Sequence, residues 1–122
     1  MRPRALLLAV VLLACAGSRQ GFLSSPLVGR TVEVTAEDLE GRAVRVTGAA
    51  GRVRVVDFWA TWCDPWRDQL PFLDRLSADY GPQGLSVYAI SFDEDRAALE
   101  RFLEETPVSF EILWDKGGAA LS

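Results

Sequence analysis

Cys63 is the residue of this chain with the clearest capacity for chemistry. It follows the apolar run Val53–Trp59 and stands directly before Asp64 and Pro65. The first turn of a helix accepts both residue types, because an acid complements the helix dipole and a proline there gives up no needed hydrogen bond. The pattern therefore places Cys63 at a helix N-terminus.

A thiol in that place faces unpaired backbone N–H groups and the positive end of the dipole. Both favour the thiolate, which is the nucleophilic form of cysteine. The alternative interpretation is that Cys63 is a small buried hydrophobic residue at the end of a strand. Spacing alone does not favour the reactive thiol over this alternative.

The residues around Cys63 add a resemblance. The stretch V-D-F-W-A-T-W-C-D-P-W resembles the active-site stretch of the thioredoxin superfamily, whose pattern is W-C-x-x-C. The matching residues are Trp59, Ala60, Trp62, Cys63 and Pro65, and Arg67, Pro71 and Leu73 extend the likeness to the TlpA-like (redoxin) branch, the membrane-anchored disulfide reductases of the bacterial envelope. The likeness runs from about residue 27 to residue 121. It implies an α/β, thioredoxin-like three-layer fold and an ancestry in thiol–disulfide oxidoreductases.

Two positions depart from the pattern of the family. Trp66 stands where the family has its second, resolving cysteine, and Gln69 stands where the TlpA-like branch often has a glutamate. A mixed disulfide is resolved by attack of a neighbouring thiolate, which a tryptophan cannot supply. The ordinary dithiol cycle is therefore not expected at this motif.

Asp57 is a second candidate functional residue, since it lies in the apolar central strand. An unpaired carboxylate there would be costly and would take a raised pKa. Its position resembles that of the buried aspartate of thioredoxin, which is implicated in proton transfer with the resolving cysteine. Trp66 removes that partner, and we expect its indole to cover the Cys63 thiol. The alternative for Asp57 is a carboxylate that points to the sheet edge or to water.

The elements that must position these residues follow from periodicity and turn residues. Residues 31–35 and Ala43–Thr47 predict two strands of a hairpin around Glu40 and Gly41. Residues 63–80 predict a helix kinked by Pro71, with a core face of leucines: Leu70, Leu73 and Leu76. Residues 85–92 and 110–114 predict further strands.

A second helix is predicted over Arg96–Glu105, with Ala97, Leu99 and Phe102 facing the core. The order β-α-β-α-β predicts parallel strands joined by helical crossovers. The acidic run before this helix, Asp93, Glu94 and Asp95, is predicted to be a solvated helix start and not a metal site.

Composition limits the partners. The chain has 122 residues, 49% of them hydrophobic, and a net charge of −4, which predicts one small domain and argues against nucleic acid or an anionic membrane surface as partner. It has no histidine and only two cysteines, Cys15 and Cys63. A zinc site or a histidine-paired nucleophile is therefore excluded, and no metal or cofactor is expected.

The N-terminus predicts export. Arg2 and Arg4 precede a short apolar run, which is typical of a secretory signal over residues 1–14. The sequence Leu12-Leu13-Ala14-Cys15 resembles the lipobox of bacterial lipoproteins and predicts lipidation of Cys15, a tether over residues 15–26 and a domain over residues 27–122. The protein would then be membrane-anchored in the bacterial envelope, facing the periplasm or the exterior. The alternative is ordinary cleavage near Cys15 and a soluble product, and in neither case do we expect Cys15 to pair with Cys63.

In the TlpA-like family the chain continues past the equivalent of Gly118 with a cis-proline loop, a further strand and a closing helix. The domain is therefore predicted to be incomplete at its C-terminus, with Val53–Trp59 as an exposed edge strand. The favoured function is monothiol exchange through Cys63 with a disulfide-bearing protein, followed by release by an external thiol reductant. The alternatives are a redox-inert binding or relic domain and a fragment of a longer oxidoreductase. One-cysteine peroxidase chemistry is disfavoured, because its P-x-x-x-T-x-x-C pattern needs proline at Val56 and threonine at Ala60.

Overall fold

The structure is a computed structural model that describes residues 10–11, 26–48 and 51–121. The strands are β1 (Val10–Val11), β2 (Glu33–Glu37), β3 (Ala43–Thr47), β4 (Val53–Trp59), β5 (Leu85–Ser91) and β6 (Glu111–Trp114). The helices are α1 (Asp64–Tyr80) and α2 (Arg96–Glu105), with short 3₁₀ segments at Gly81–Gln83 and Lys116–Leu121. Within the described ranges, neither helix has the length and apolar character needed to cross a bilayer.

The six strands form one sheet in the order β1-β4-β5-β6-β2-β3. Strands β4, β5 and β6 are parallel, and α1 and α2 connect them, which confirms the predicted β-α-β-α-β arrangement. The predicted hairpin is confirmed as the antiparallel pair β2–β3, which joins the sheet where Glu37 pairs with Trp114. Gly41 has a φ of 81° in its turn, a conformation that glycine adopts without steric cost.

Both faces of β4 are buried, because successive side chains of a strand point to opposite faces. One face packs against α1 and α2 in a cluster built mainly from Val55, Trp59, Trp66, Leu70, Leu73, Leu99 and Phe102. The other face belongs to a second cluster that includes Val56, Phe58, Ile90 and Leu113. The central strand is thus buried as the sequence predicted, and its last residue leads directly toward Cys63.

Two expectations about this framework need correction. The predicted open edge of β4 is partly covered, because β1 pairs with it in parallel at Val56 and Asp57. The sequence analysis assigned the residues of β1 to the secretory signal, and that assignment stays a prediction. Ala97 is exposed and does not face the core, since it lies two positions and about 200° around the helix from the buried Leu99.

Candidate functional site

Cys63 is the N-cap residue of α1, as the sequence predicted. Its backbone is extended, with φ −91° and ψ 94°, and its carbonyl oxygen accepts a hydrogen bond from the Trp66 N–H at 3.1 Å. Its own N–H donates to the Ala60 carbonyl oxygen at 3.0 Å. With Pro65 in the first turn, the local sequence starts the helix directly after Cys63, whose side chain is only 5% exposed.

Cys63 is disulfide-bonded in the structure, and the chain has one other cysteine, Cys15, which the sequence predicted would not pair with it. Residues 12–25, which include the predicted lipidation site Cys15, lie outside the described part of the chain. Thiolate chemistry at Cys63 therefore belongs to the reduced protein.

Asp57 lies beneath the start of α1 and is bound by Trp66. The Trp66 indole Nε1 donates a hydrogen bond of 2.7 Å to Asp57 Oδ2, while Oδ1 is buried without a hydrogen-bond partner among the described residues. Asp57 is 1% exposed, and this burial raises its pKa to about 6, although the Trp66 hydrogen bond opposes the rise. The raised pKa agrees with the sequence expectation, and the burial of Asp57 excludes a carboxylate that points to solvent.

Trp66 is a core residue. Its ring stacks on Trp59 with centroids 3.6 Å apart and planes 9° from parallel, and it also contacts Phe102. The side chain is 2% exposed. The sequence placed Trp66 beside Cys63 but did not predict the bond to Asp57. One chemical argument from the sequence could have predicted this bond. A buried carboxylate in a strand needs a hydrogen-bond donor, and the first turn of the following helix carries the Trp66 indole N–H.

Asp93 is a functional candidate that the sequence missed. It was predicted to be solvated, but it is 3% exposed, and its carboxylate accepts hydrogen bonds from the Thr61 N–H at 3.0 Å, the Thr61 hydroxyl at 2.8 Å and the Ser91 hydroxyl at 2.7 Å. The donors on the loop before Cys63 draw this carboxylate inward. Asp93 thereby ties the loop of Cys63 to the end of β5. The expected helix start is confirmed at Asp95, which caps α2 by accepting from the Ala97 N–H.

The remaining predicted site residues separate into a surface group and a buried group. Trp62 is 64% exposed and meets Phe92 edge-on, with ring centroids 5.7 Å apart, and Pro65 is also exposed. Gln69 is half-buried further along α1. Trp62 and Pro65, which lie close to Cys63 in sequence, are therefore at the surface, while Asp57, Trp59 and Trp66 are buried.

Comparison with known protein families identifies the family of this chain. A model of the AhpC/TSA family matches residues 28–122. The chain belongs to the AhpC/TSA family. This confirms the thioredoxin-superfamily, redoxin-type resemblance predicted from residues 53–66.

The relatives of this chain that have curated names include thiol-disulfide oxidoreductases. The chain is 30% identical over 82 residues to thiol-disulfide oxidoreductase ResA of Oceanobacillus iheyensis, covering 67% of this chain and 43% of the relative. It is 32% identical over 96 residues to ResA of Geobacillus thermodenitrificans, covering 78% of this chain and 55% of the relative. The chain thus spans about half the length of the curated relatives it matches.

Solved structures show the same fold. A protein from Chlorobium tepidum, provisionally assigned as thiol:disulfide interchange protein DsbE, superposes with a TM-score of 0.66 at 28% identity, over 73% of this chain and 62% of that chain. A secreted disulfide oxidoreductase of Mycobacterium tuberculosis, homologous to E. coli DsbE, superposes with a TM-score of 0.56 at 26% identity, over 70% of this chain and 63% of that chain. The thioredoxin-like fold is therefore confirmed.

Proposed function

We propose that this AhpC/TSA-family domain carries out thiol–disulfide exchange with a disulfide-bearing protein through Cys63. The observation that carries the proposal is the place of Cys63 as N-cap of α1, where the backbone N–H groups and the helix dipole favour a thiolate. The names of the relatives, thiol-disulfide oxidoreductases, support the same reaction class.

The exchange begins from reduced Cys63. Its thiolate attacks one sulfur of the partner's disulfide, so a Cys63–partner bond forms, the partner's own S–S bond breaks and its second cysteine leaves as a thiolate. Trp66 at the third position after Cys63 cannot attack this adduct. A second thiolate, from an external thiol reductant, attacks the mixed disulfide and returns Cys63 to its thiolate form.

Asp57 is proposed to exchange a proton with this site. Its burial and its pKa of about 6 support the role, because a carboxyl that titrates near neutral pH can both hold and release a proton. Trp66 occupies Oδ2, so Oδ1 is the atom that would carry the proton.

The test uses a Cys15→Ser protein, in which Cys63 is the only cysteine, after reduction and removal of the reductant. A small dipyridyl disulfide should release one thiopyridone per chain and leave a mixed disulfide on the Cys63 peptide, as read by absorbance and mass spectrometry. The same protein with Cys63→Ser should release none. A folded, reduced Cys15→Ser protein that fails to react would contradict the proposed exchange.

We further propose that the protein works outside the cytoplasm in a form in which Cys63 is reduced and the Cys15 sulfur carries a lipid anchor. The support is the run of residues 12–15 after Arg2 and Arg4, together with similarity to a secreted oxidoreductase. Mass spectrometry of the envelope protein should find Cys15 as the N-terminal residue, with a diacylglyceryl group on sulfur and an acyl group on nitrogen. A mature chain that starts at residue 16 or later would contradict the anchor.

A further inference from the structure

A groove of about 300 Å³ lies beside the loop that carries Cys63. It is formed where the start of α1 approaches α2, and its lining includes Thr61, Trp62, Arg67, Arg101, Phe102 and Glu105. Thr61 and Trp62 directly precede Cys63 in the chain. The groove therefore opens next to the place where a partner's sulfur would have to arrive.

The charges in this groove are mostly positive. Arg67 lies with its guanidinium carbon 5.2 Å from the centre of the Phe102 ring and forms no ion pair among the described residues. Arg101 approaches Asp95 only at 3.8 Å, and both side chains are 66% exposed, so the contact is weak. Glu105 is the single carboxylate in the lining, which leaves a net positive groove on a protein of net charge −4.

Aromatic groups complete the surface. The exposed Trp62 lines the groove, and the Phe102 ring lies against the Arg67 guanidinium. Tryptophan and arginine are enriched among the residues that contribute most to binding a protein partner. Arginine also presents a planar fork that matches a carboxylate in a bidentate contact.

We propose that this groove binds an acidic stretch of the partner polypeptide, next to the cysteine that Cys63 attacks. The inference rests on the proposed exchange reaction and adds the class of substrate sequence that it selects. Arg67 and Arg101 would hold the partner's carboxylates while Trp62 packs on its backbone. Because the rest of the protein is acidic, these two arginines would orient an acidic partner with its disulfide toward Cys63.

The test compares two short peptides that differ only in the residues flanking one cysteine, which carries a thiopyridyl group. One peptide has glutamates and the other lysines, and capture by reduced Cys15→Ser protein is followed by thiopyridone release. The acidic peptide should react faster, and added salt should reduce the difference. Arg67→Gln with Arg101→Gln should lower the acidic-to-basic rate ratio by about five- to tenfold, as expected for two exposed charge contacts.

Arg75→Gln is the matched control, since Arg75 is an exposed arginine on α1 that does not line the groove. It should leave the rate ratio near that of the unsubstituted protein. Equal rates for the two peptides, or a fall of the rate ratio in Arg75→Gln as large as in the double variant, would overturn the acidic-partner inference. Reaction with the small neutral dipyridyl disulfide would in that case still support the exchange function. No reaction with that neutral reagent would instead overturn the exchange function itself.

Discussion

Asp57→Asn should remove a pH dependence of stability that the buried carboxyl imposes on the domain. Burial raises the pKa of Asp57 to about 6 from an ordinary value of 3.8. The folded protein therefore binds this proton more tightly than the unfolded chain does. Its contribution to the free energy of unfolding is complete below pH 3.8 and is lost as the pH rises through about 6.

The size of the effect follows from these two pKa values. At pH 5 the folded carboxyl is mostly protonated and the unfolded one is mostly ionised, which favours the folded state by about 1 kcal/mol. At pH 7.5 the contribution is close to zero. The free energy of unfolding should thus fall by about 1 kcal/mol from this group between pH 5 and pH 7.5, and asparagine, which does not titrate, should abolish that fall.

Urea unfolding of both proteins at pH 5 and pH 7.5 measures the difference directly. Asp38→Asn is the control, because hydrogen bonds from Arg42 and Glu40 hold the pKa of Asp38 below 3.8 and outside this window. The pH dependence should survive in the control and vanish in Asp57→Asn. An Asp57→Asn protein that keeps the full fall in stability would refute the assignment to this carboxyl.

Three further outcomes are expected from the same contacts. Trp66→Phe removes the indole N–H that favours the ionised Asp57 carboxylate, so the pKa of Asp57 should rise further and the fall in stability should move to higher pH. An unchanged dependence of the unfolding free energy on pH would show that the Trp66–Asp57 hydrogen bond is weak. Asp93→Asn should lower the free energy of unfolding by about 1–3 kcal/mol and speed hydrogen exchange at the Thr61 amide, whereas Glu94→Gln at its exposed neighbour should do neither. Trp66→Cys should cost about 3–5 kcal/mol of stability in urea unfolding, because it empties a core site, and a variant as stable as the parent would contradict the packing described.

The parts of the fold that sequence predicted well are those with strong local periodicity. The bounds of β4 and α2 agree with the prediction, and α1 begins one residue later than the predicted range. Cys63 was placed correctly because the signals for a strand end and a helix start are neighbours in sequence. These signals carry information about single elements and their ends.

The contacts that sequence missed join residues from different elements. In the sequence Asp93 is one of three consecutive acidic residues. It is a buried hydrogen-bond acceptor because the fold brings it to Thr61, 32 positions earlier. In the sequence Trp66 only replaces the second cysteine of the motif. The folded core shows that its indole donates a hydrogen bond to Asp57 and stacks on Trp59. Such roles depend on which side chains the fold brings together, and local pattern does not specify that.

The burial of Trp66 also bears on the routes by which such a motif can change over generations. A single substitution that gave position 66 a thiol would at once empty the space against Trp59 and withdraw the donor from Asp57. The intermediate protein would be less stable before any second thiol could be useful. A path to a W-C-x-x-C motif would therefore need a compensating change elsewhere in this core first. The buried tryptophan makes that motif harder to reach by single substitutions.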